Sequence, residues 1–229
     1  MSIILIASLA PVLLLMIYIY AKDRFQKEPL PLLMKAFLGG ILAAGLDVLL
    51  IQVLHLEQYA NFNDPLRQAL FQAFCLAGIP EEFSKLVFLY LFIWNSRYFD
   101  EYYDGIEYAA FVGLGFAGLE NIMYVMQGGM GVAVSRALFA VPAHFFFAII
   151  MGYFFAFAKF RPRKKTLYLL LALICPAILH GIYDFALMYA ELIQSTDTVT
   201  ASFLNIGFFI FFIFIWKLAQ RRIDNLVGR

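Results

Sequence analysis

Acids and imidazoles occur in this sequence at spacings that suit hydrolytic chemistry. Glu81 and Glu82 are adjacent, and Lys85 follows four and three residues later, so on a helix the lysine reaches back one turn to either carboxylate. The two glutamates point about 100° apart around a helix, which suits them to different roles. His180 and Asp184 are four apart and can orient each other or address one water or metal ion together. Glu120 and His144 add a further acid and imidazole. Hydrolysis of a peptide needs an activated water, a group that holds the oxyanion and a donor for the leaving amine, and this inventory contains all three. Ser84 and Cys75 have no triad context, so nucleophilic chemistry is not indicated.

The elements that must position these residues are membrane helices. Of the 229 residues 63% are apolar and 14% charged, and 18% are aromatic with 26 Phe and 13 Tyr. A water-soluble domain is nearer half apolar and a quarter charged, and could not hide this surface. The net charge of +1 gives no footprint for nucleic acid. A span needs roughly 20 apolar residues, which divides the chain at about 2–21, 31–54, 68–94, 105–127, 133–158, 167–191 and 200–219. The expected fold is therefore an all-α polytopic transmembrane helix bundle of about seven spans, one domain over residues 1–229. Cys75 and Cys175 lie inside apolar runs and read as small core residues.

Positive charge sets the orientation. Lys22, Arg24, Lys27 and Lys35 follow the first span, Lys159, Arg161, Arg163, Lys164 and Lys165 follow the fifth, and Lys217, Arg221, Arg222 and Arg229 close the chain. The alternate loops are poor in Lys and Arg, with Arg136 at a helix start. An N-terminus outside and a C-terminus in the cytosol satisfy every crossing. The first span has no basic stretch before it, so it reads as a retained span and not a cleaved signal.

Ionisable groups inside a bilayer are costly and by default functional. With this topology Glu81, Glu82, Glu120, His144, His180 and Asp184 all fall ~10–20 Å below the outer surface, at ~1.5 Å per residue. Asp47 lies at similar depth and reads as structural, and Glu107 reads as interfacial. Pro80, Pro142 and Pro176 bend helices beside the polar residues, and Gly113, Gly115 and Gly118 allow close helix packing. Carboxylates and histidines in a bundle would also suit a proton- or cation-coupled transporter, the alternative reading. However, no inverted repeat is visible and the polar groups form one slab, not a path across the membrane.

Glu81-Glu82-Phe-Ser-Lys85, Phe116-Ala-Gly-Leu-Glu120-Asn121, His144 after Pro142-Ala143, and His180-Gly-Ile-Tyr-Asp184 resemble, in order, the four motifs of the PrsW family. These are bacterial membrane-embedded proteases distantly similar to the CAAX-prenyl-protease/Abi superfamily. The resemblance covers about residues 75–186. It implies a multi-pass protein of the bacterial cell membrane that makes the site-1 cut in a single-span anti-sigma factor, on its extracytoplasmic side, in a stress response. No soluble cofactor and no nucleic-acid partner are implied. The chain departs from the CAAX enzymes at Lys85, where they carry arginine one residue later, and at Glu120, where they have histidine.

Two chemistries stand open at this level. In one, His144, His180 and a carboxylate (Glu82 or Glu120) bind Zn²⁺ while another glutamate is the base; zinc would lower the pKa of bound water to about 7. In the other, a buried glutamate activates the water without metal and the histidines polarise the carbonyl. The expected roles are Glu81 or Glu82 as base, His144 and His180 on metal or oxyanion, and Asp184 orienting His180. Glu120 would be a ligand or support, Asn121 a donor to substrate backbone, Lys85 a charge partner and Phe116 a supporting contact.

Overall fold

The computed structural model describes residues 2–23 and 26–227; Arg24 and Arg229, which entered the charge count above, lie outside them. Among the described residues every regular element is helical. That follows from the solvent these residues require, because in lipid a backbone must satisfy its own hydrogen bonds within the segment.

Helices α1 (Ser2–Lys22) and α2 (Leu30–Val53) correspond to the first two expected spans. The third expected span is a composite. It starts at α3 (Pro65–Phe71), widens into a π-helical turn over Gln72–Gly78 and continues as α4 (Ile79–Ile93). Expected spans four and five are a single helical run made of α5 (Tyr102–Ser135), a π-helical turn over Arg136–Ala140, and α6 (Val141–Phe160). Gly129, with φ +72°, reverses the chain inside it. Glycine meets that requirement without a Cβ clash, which is why no polar loop was needed to turn the chain. Helices α7 (Lys165–Ile193) and α8 (Thr198–Leu226) complete the bundle, and α8 runs seven residues beyond the expected end of its span.

Among the described residues five helical stretches are long and apolar enough to cross a membrane: 5–22, 30–53, 102–160, 162–193 and 198–226. The stretch from Pro65 to Ile93 is not among them, because Glu81, Glu82 and Lys85 interrupt its apolar run.

Helix α5 is the axis of the bundle. From Tyr103 to Gly118 every residue is buried, the mark of a helix enclosed on all sides. It packs on α1, α2, α4 and α6. A Cβ at Gly105 would lie 2.9 Å from the carbonyl oxygen of Gly152, and one at Gly113 2.6 Å from the Ala148 Cβ. These two contacts run α5 and α6 antiparallel at backbone distance. The outer helices carry the exposed apolar residues, among them Leu14 and Ile17 on α1 and Phe203, Ile210 and Phe214 on α8, as a lipid-facing surface requires.

Both π-helical turns end two residues before a proline, Pro80 and Pro142. A proline ring clashes with the carbonyl four residues earlier, and a widened turn relieves that clash while keeping the helix continuous. Pro176 lies inside α7 with no such turn. Glu107 is wholly buried in the bundle, with neither carboxylate oxygen hydrogen-bonded among the described residues.

Candidate active site

Glu81, Glu82 and Lys85 occupy the first turns of α4, all on its buried side. Their helix is pressed against α7 at two glycines. A Cβ on Gly78 would sit 2.9 Å from the Ala177 carbonyl oxygen and 3.0 Å from the Gly181 nitrogen, and one on Gly181 2.3 Å from the Phe74 ring. With no side chains between the backbones, Glu82 and His180 come into direct contact.

One ligand atom each from Glu81, Glu82, His144 and His180 lies within 4.8 Å of the others. These four residues come from α4, α6 and α7, and all are buried. Lys85 stands among them. Its Nζ donates to Glu82 Oε1 at 2.7 Å and Glu81 Oε2 at 3.2 Å, and lies 3.1 Å from His144 Nδ1. The ammonium also sits 4.1 Å from the centre of the Phe116 ring, which gives Phe116 a cation–π contact.

Hydrogen-bond inventory sets the histidine protonation. An ammonium only donates, so His144 Nδ1 presents its lone pair to Lys85 and the ring hydrogen is on Nε2. That nitrogen donates to Glu120 Oε2 at 2.8 Å. His180 has Nδ1 2.9 Å from Glu82 Oε1 and Nε2 3.3 Å from Asp184 Oδ2. Both neighbours are carboxylates, so both of its nitrogens carry hydrogen when those acids are ionised. The Phe147 ring stacks on His180, 4.8 Å between centres.

Glu120 therefore stands behind His144, and Asp184 behind His180. Each carboxylate fixes an imidazole so that Nδ1 points to the centre. Glu81, not Glu120, completes the group of four. Asn121, expected to meet substrate backbone, is engaged inside the protein: its Nδ2 donates to the Ser8 carbonyl at 2.7 Å and its Oδ1 accepts from Arg136 Nε at 3.0 Å. In the sequence Arg136 stands out only as a lone charge at a helix start. It donates through Nη2 to Glu120 Oε2 at 2.7 Å. The signal available was its place in an apolar stretch, where an arginine requires a partner. Asp47 is buried on α2, with Oδ1 unpartnered.

A cavity of about 440 Å³ opens onto this group. Glu81, Glu120, His144, His180 and Asp184 line its polar part, and Phe208 and Phe209 of α8 its apolar wall. Glu82 is not part of that lining and is wholly shielded.

Residues 28–217 match the PrsW family of intramembrane metalloproteases. The chain belongs to the PrsW family. Similar proteins include Protease PrsW of Geobacillus kaustophilus, 34% identical over 97% of this chain and 91% of that protein. Protease PrsW of Oceanobacillus iheyensis is 40% identical over 80% and 82%, and that of Bacillus subtilis 35% over 80% and 82%. No solved structure matches. PrsW membership makes this chain a multi-pass bacterial membrane protein and a membrane peptidase, which does not favour the transporter alternative.

The residues present fit a metal ion. Two imidazole nitrogens and two carboxylates are a donor set that zinc accepts. Glu82 Oε2 is buried without a partner. Three of the four candidate ligands, Glu81, Glu82 and His144, already converge on one cation, the Lys85 ammonium.

Proposed function

We propose that this protein is an endopeptidase that cuts a single-span membrane protein, such as an anti-sigma factor, on its extracytoplasmic side. The observation that carries it is the meeting of Glu81, Glu82, His144 and His180 beside a cavity inside the bundle. Such groups gather in an apolar protein at a cost that function must justify.

The orientation follows from the same chain. His144 is 15 residues from Lys159 along α6, ~22 Å at 1.5 Å per residue. The basic run 159–165 marks the cytosolic end, so the cavity lies toward the outside. The reversal at Gly129 and the composite third helix support seven passes, N-terminus outside and C-terminus cytosolic, in one domain over residues 1–229.

In this reading Glu81, which faces the cavity, is the general base. It takes a proton from water as the water oxygen bonds to the scissile carbonyl carbon. His180, hydrogen-bearing on both nitrogens and therefore cationic, stabilises the developing oxyanion by its charge while its N–H groups stay on Glu82 and Asp184, and the proton held by Glu81 passes to the leaving amine as the C–N bond breaks. Glu82, held by Lys85 and His180, keeps His180 in place. Asp184 and Glu120 orient the two imidazoles. A zinc ion, held by His144 and His180 with Glu82 or Glu81, would supply a water of lowered pKa and a Lewis acid for the carbonyl.

The test is co-expression of a candidate single-span substrate with Glu81→Gln, Glu82→Gln and His180→Ala, each checked for normal insertion. Cleavage is expected to be lost in all three; undiminished cleavage in all three would sink the assignment. Chelation of purified protein followed by zinc addition separates the two chemistries: loss and recovery of cleavage supports the metal, unchanged cleavage the glutamate mechanism alone.

A further inference from the structure

We propose that Arg136 is a positioning residue that acts through Glu120 to hold His144 with its Nδ1 toward the Glu81–Glu82 pair. The inference rests on the reading of His144 as a site residue given above.

The geometry is a chain of hydrogen bonds from the edge of the bundle to its polar centre. The Ser8 carbonyl on α1 accepts from Asn121 Nδ2, and Asn121 Oδ1 accepts from Arg136 Nε. Arg136 Nη2 donates to Glu120 Oε2, and the same oxygen accepts from His144 Nε2. The Arg136 guanidinium also lies 4.2 Å from the centre of the Tyr124 ring. A guanidinium offers a planar fork of donors, and here two arms serve different acceptors, the Asn121 amide and the Glu120 carboxylate. Those acceptors are neighbours on α5, whereas Arg136 begins the π-helical turn on the far side of the Gly129 reversal. The fork therefore ties both limbs of the α5–α6 hairpin at the level of the site.

Without the fork, Glu120 has one fewer donor on the oxygen that holds His144. The carboxylate is then free to leave Nε2, and of the two partners that select the Nε2–H form only Lys85, at Nδ1, remains. Partners one step beyond a ligand act in this way: they set tautomer and ring direction. A lysine keeps the charge but cannot serve both acceptors with fixed geometry.

The chain has three histidines, so protein labelled with ¹⁵N only at histidine gives three imidazole spectra, sorted with His55→Gln and His180→Ala. The tautomer of His144 is then read directly in purified, metal-free protein. The native spectrum is expected to show hydrogen on Nε2 of a neutral His144. Arg136→Gln and Glu120→Gln are each expected to mix in the Nδ1–H form, with Arg136→Lys intermediate. Zn²⁺ affinity of the same proteins is expected to fall about 10-fold or more in Arg136→Gln, and the Glu120→Gln/Arg136→Gln pair should be no worse than Glu120→Gln. Arg136→Lys decides the matter should the glutamine variant not fold. An unchanged His144 spectrum in the folded Arg136 variants overturns the proposal. So does a further independent loss of affinity in the double variant, which would have Arg136 acting elsewhere. Failure of the site reading itself shows differently, as cleavage that persists in Glu81→Gln, Glu82→Gln and His180→Ala.

Discussion

His144 and His180 stand nearly perpendicular, with ring centres 5.2 Å apart and an angle of 89° between planes. They come from different helices, and each is gripped at Nε2 by a carboxylate: Glu120 of α5 for one, Asp184 of the same helix for the other. The two Nδ1 atoms are thereby aimed at the Glu81–Glu82 pair from two sides. An arrangement so specified should be sensitive to the groups that hold the two imidazoles.

Asp184→Asn is the mildest probe of that sensitivity. The amide keeps the volume but not the charge that pairs with His180. Partners of this kind are typically worth 10–100-fold in metal affinity or activity, so cleavage should fall by about that factor while membrane insertion is unchanged. Wild-type cleavage in Asp184→Asn would show that His180 needs no such support.

Lys85 neutralises two buried carboxylates at once. Removing one partner of a buried ion pair costs about 3–5 kcal/mol, because the other charge is left uncompensated. Lys85→Met should accordingly lower the unfolding temperature of the purified protein sharply. Lys85→Met with Glu82→Gln should regain part of that stability and none of the activity. If the single variant melts like the parent, the ion pairs do not bear on stability.

Gly78 sets the distance between α4 and α7. The Cβ of Gly78→Ala would lie 2.9 Å from a backbone oxygen, Ala177 O, which cannot swing aside as a side chain can. The helices must part by some tenths of an ångström, and Glu82 would draw away from His180. Misplacement on the order of 1 Å can cost about 100-fold; a loss of about 10-fold in cleavage is expected here, with little change in expression. Equal activity would mean that the glutamate–histidine contact tolerates slack.

Glu28, in the connection between α1 and α2, supplies the pH dependence. Burial first, and then the Asp104 and Glu107 carboxylates, push its carboxyl from 4.5 up to about 9, and it accepts the hydroxyl of Tyr108. The folded chain therefore keeps a proton that the unfolded chain loses above about 4.5. The stability tied to it is complete below that pH, declines as pH rises and is gone above about 9. Unfolding temperature should fall from acid to alkaline solution across this window, and Glu28→Gln should flatten the slope. An identical slope in the variant would assign the effect to other groups.

The sequence by itself determined the solvent, the class and the chemical inventory. Span length and apolarity are local properties, and they locate the helices within a few residues, with the basic clusters at or near helix ends. The motifs around Glu81, Glu120, His144 and His180 carried the PrsW resemblance, because residue type and order survive without coordinates. What the tertiary structure decided is how each helix is rotated and how closely it approaches its neighbours. That placed Glu81 in the group of four and Glu120 behind His144, turned Asn121 inward to Ser8, and gave Arg136 a partner 16 residues away. Rotation and approach are set by contacts distant in sequence, such as Gly78 on Gly181 and the reversal at Gly129. The spacing of residues along one helix does not contain them.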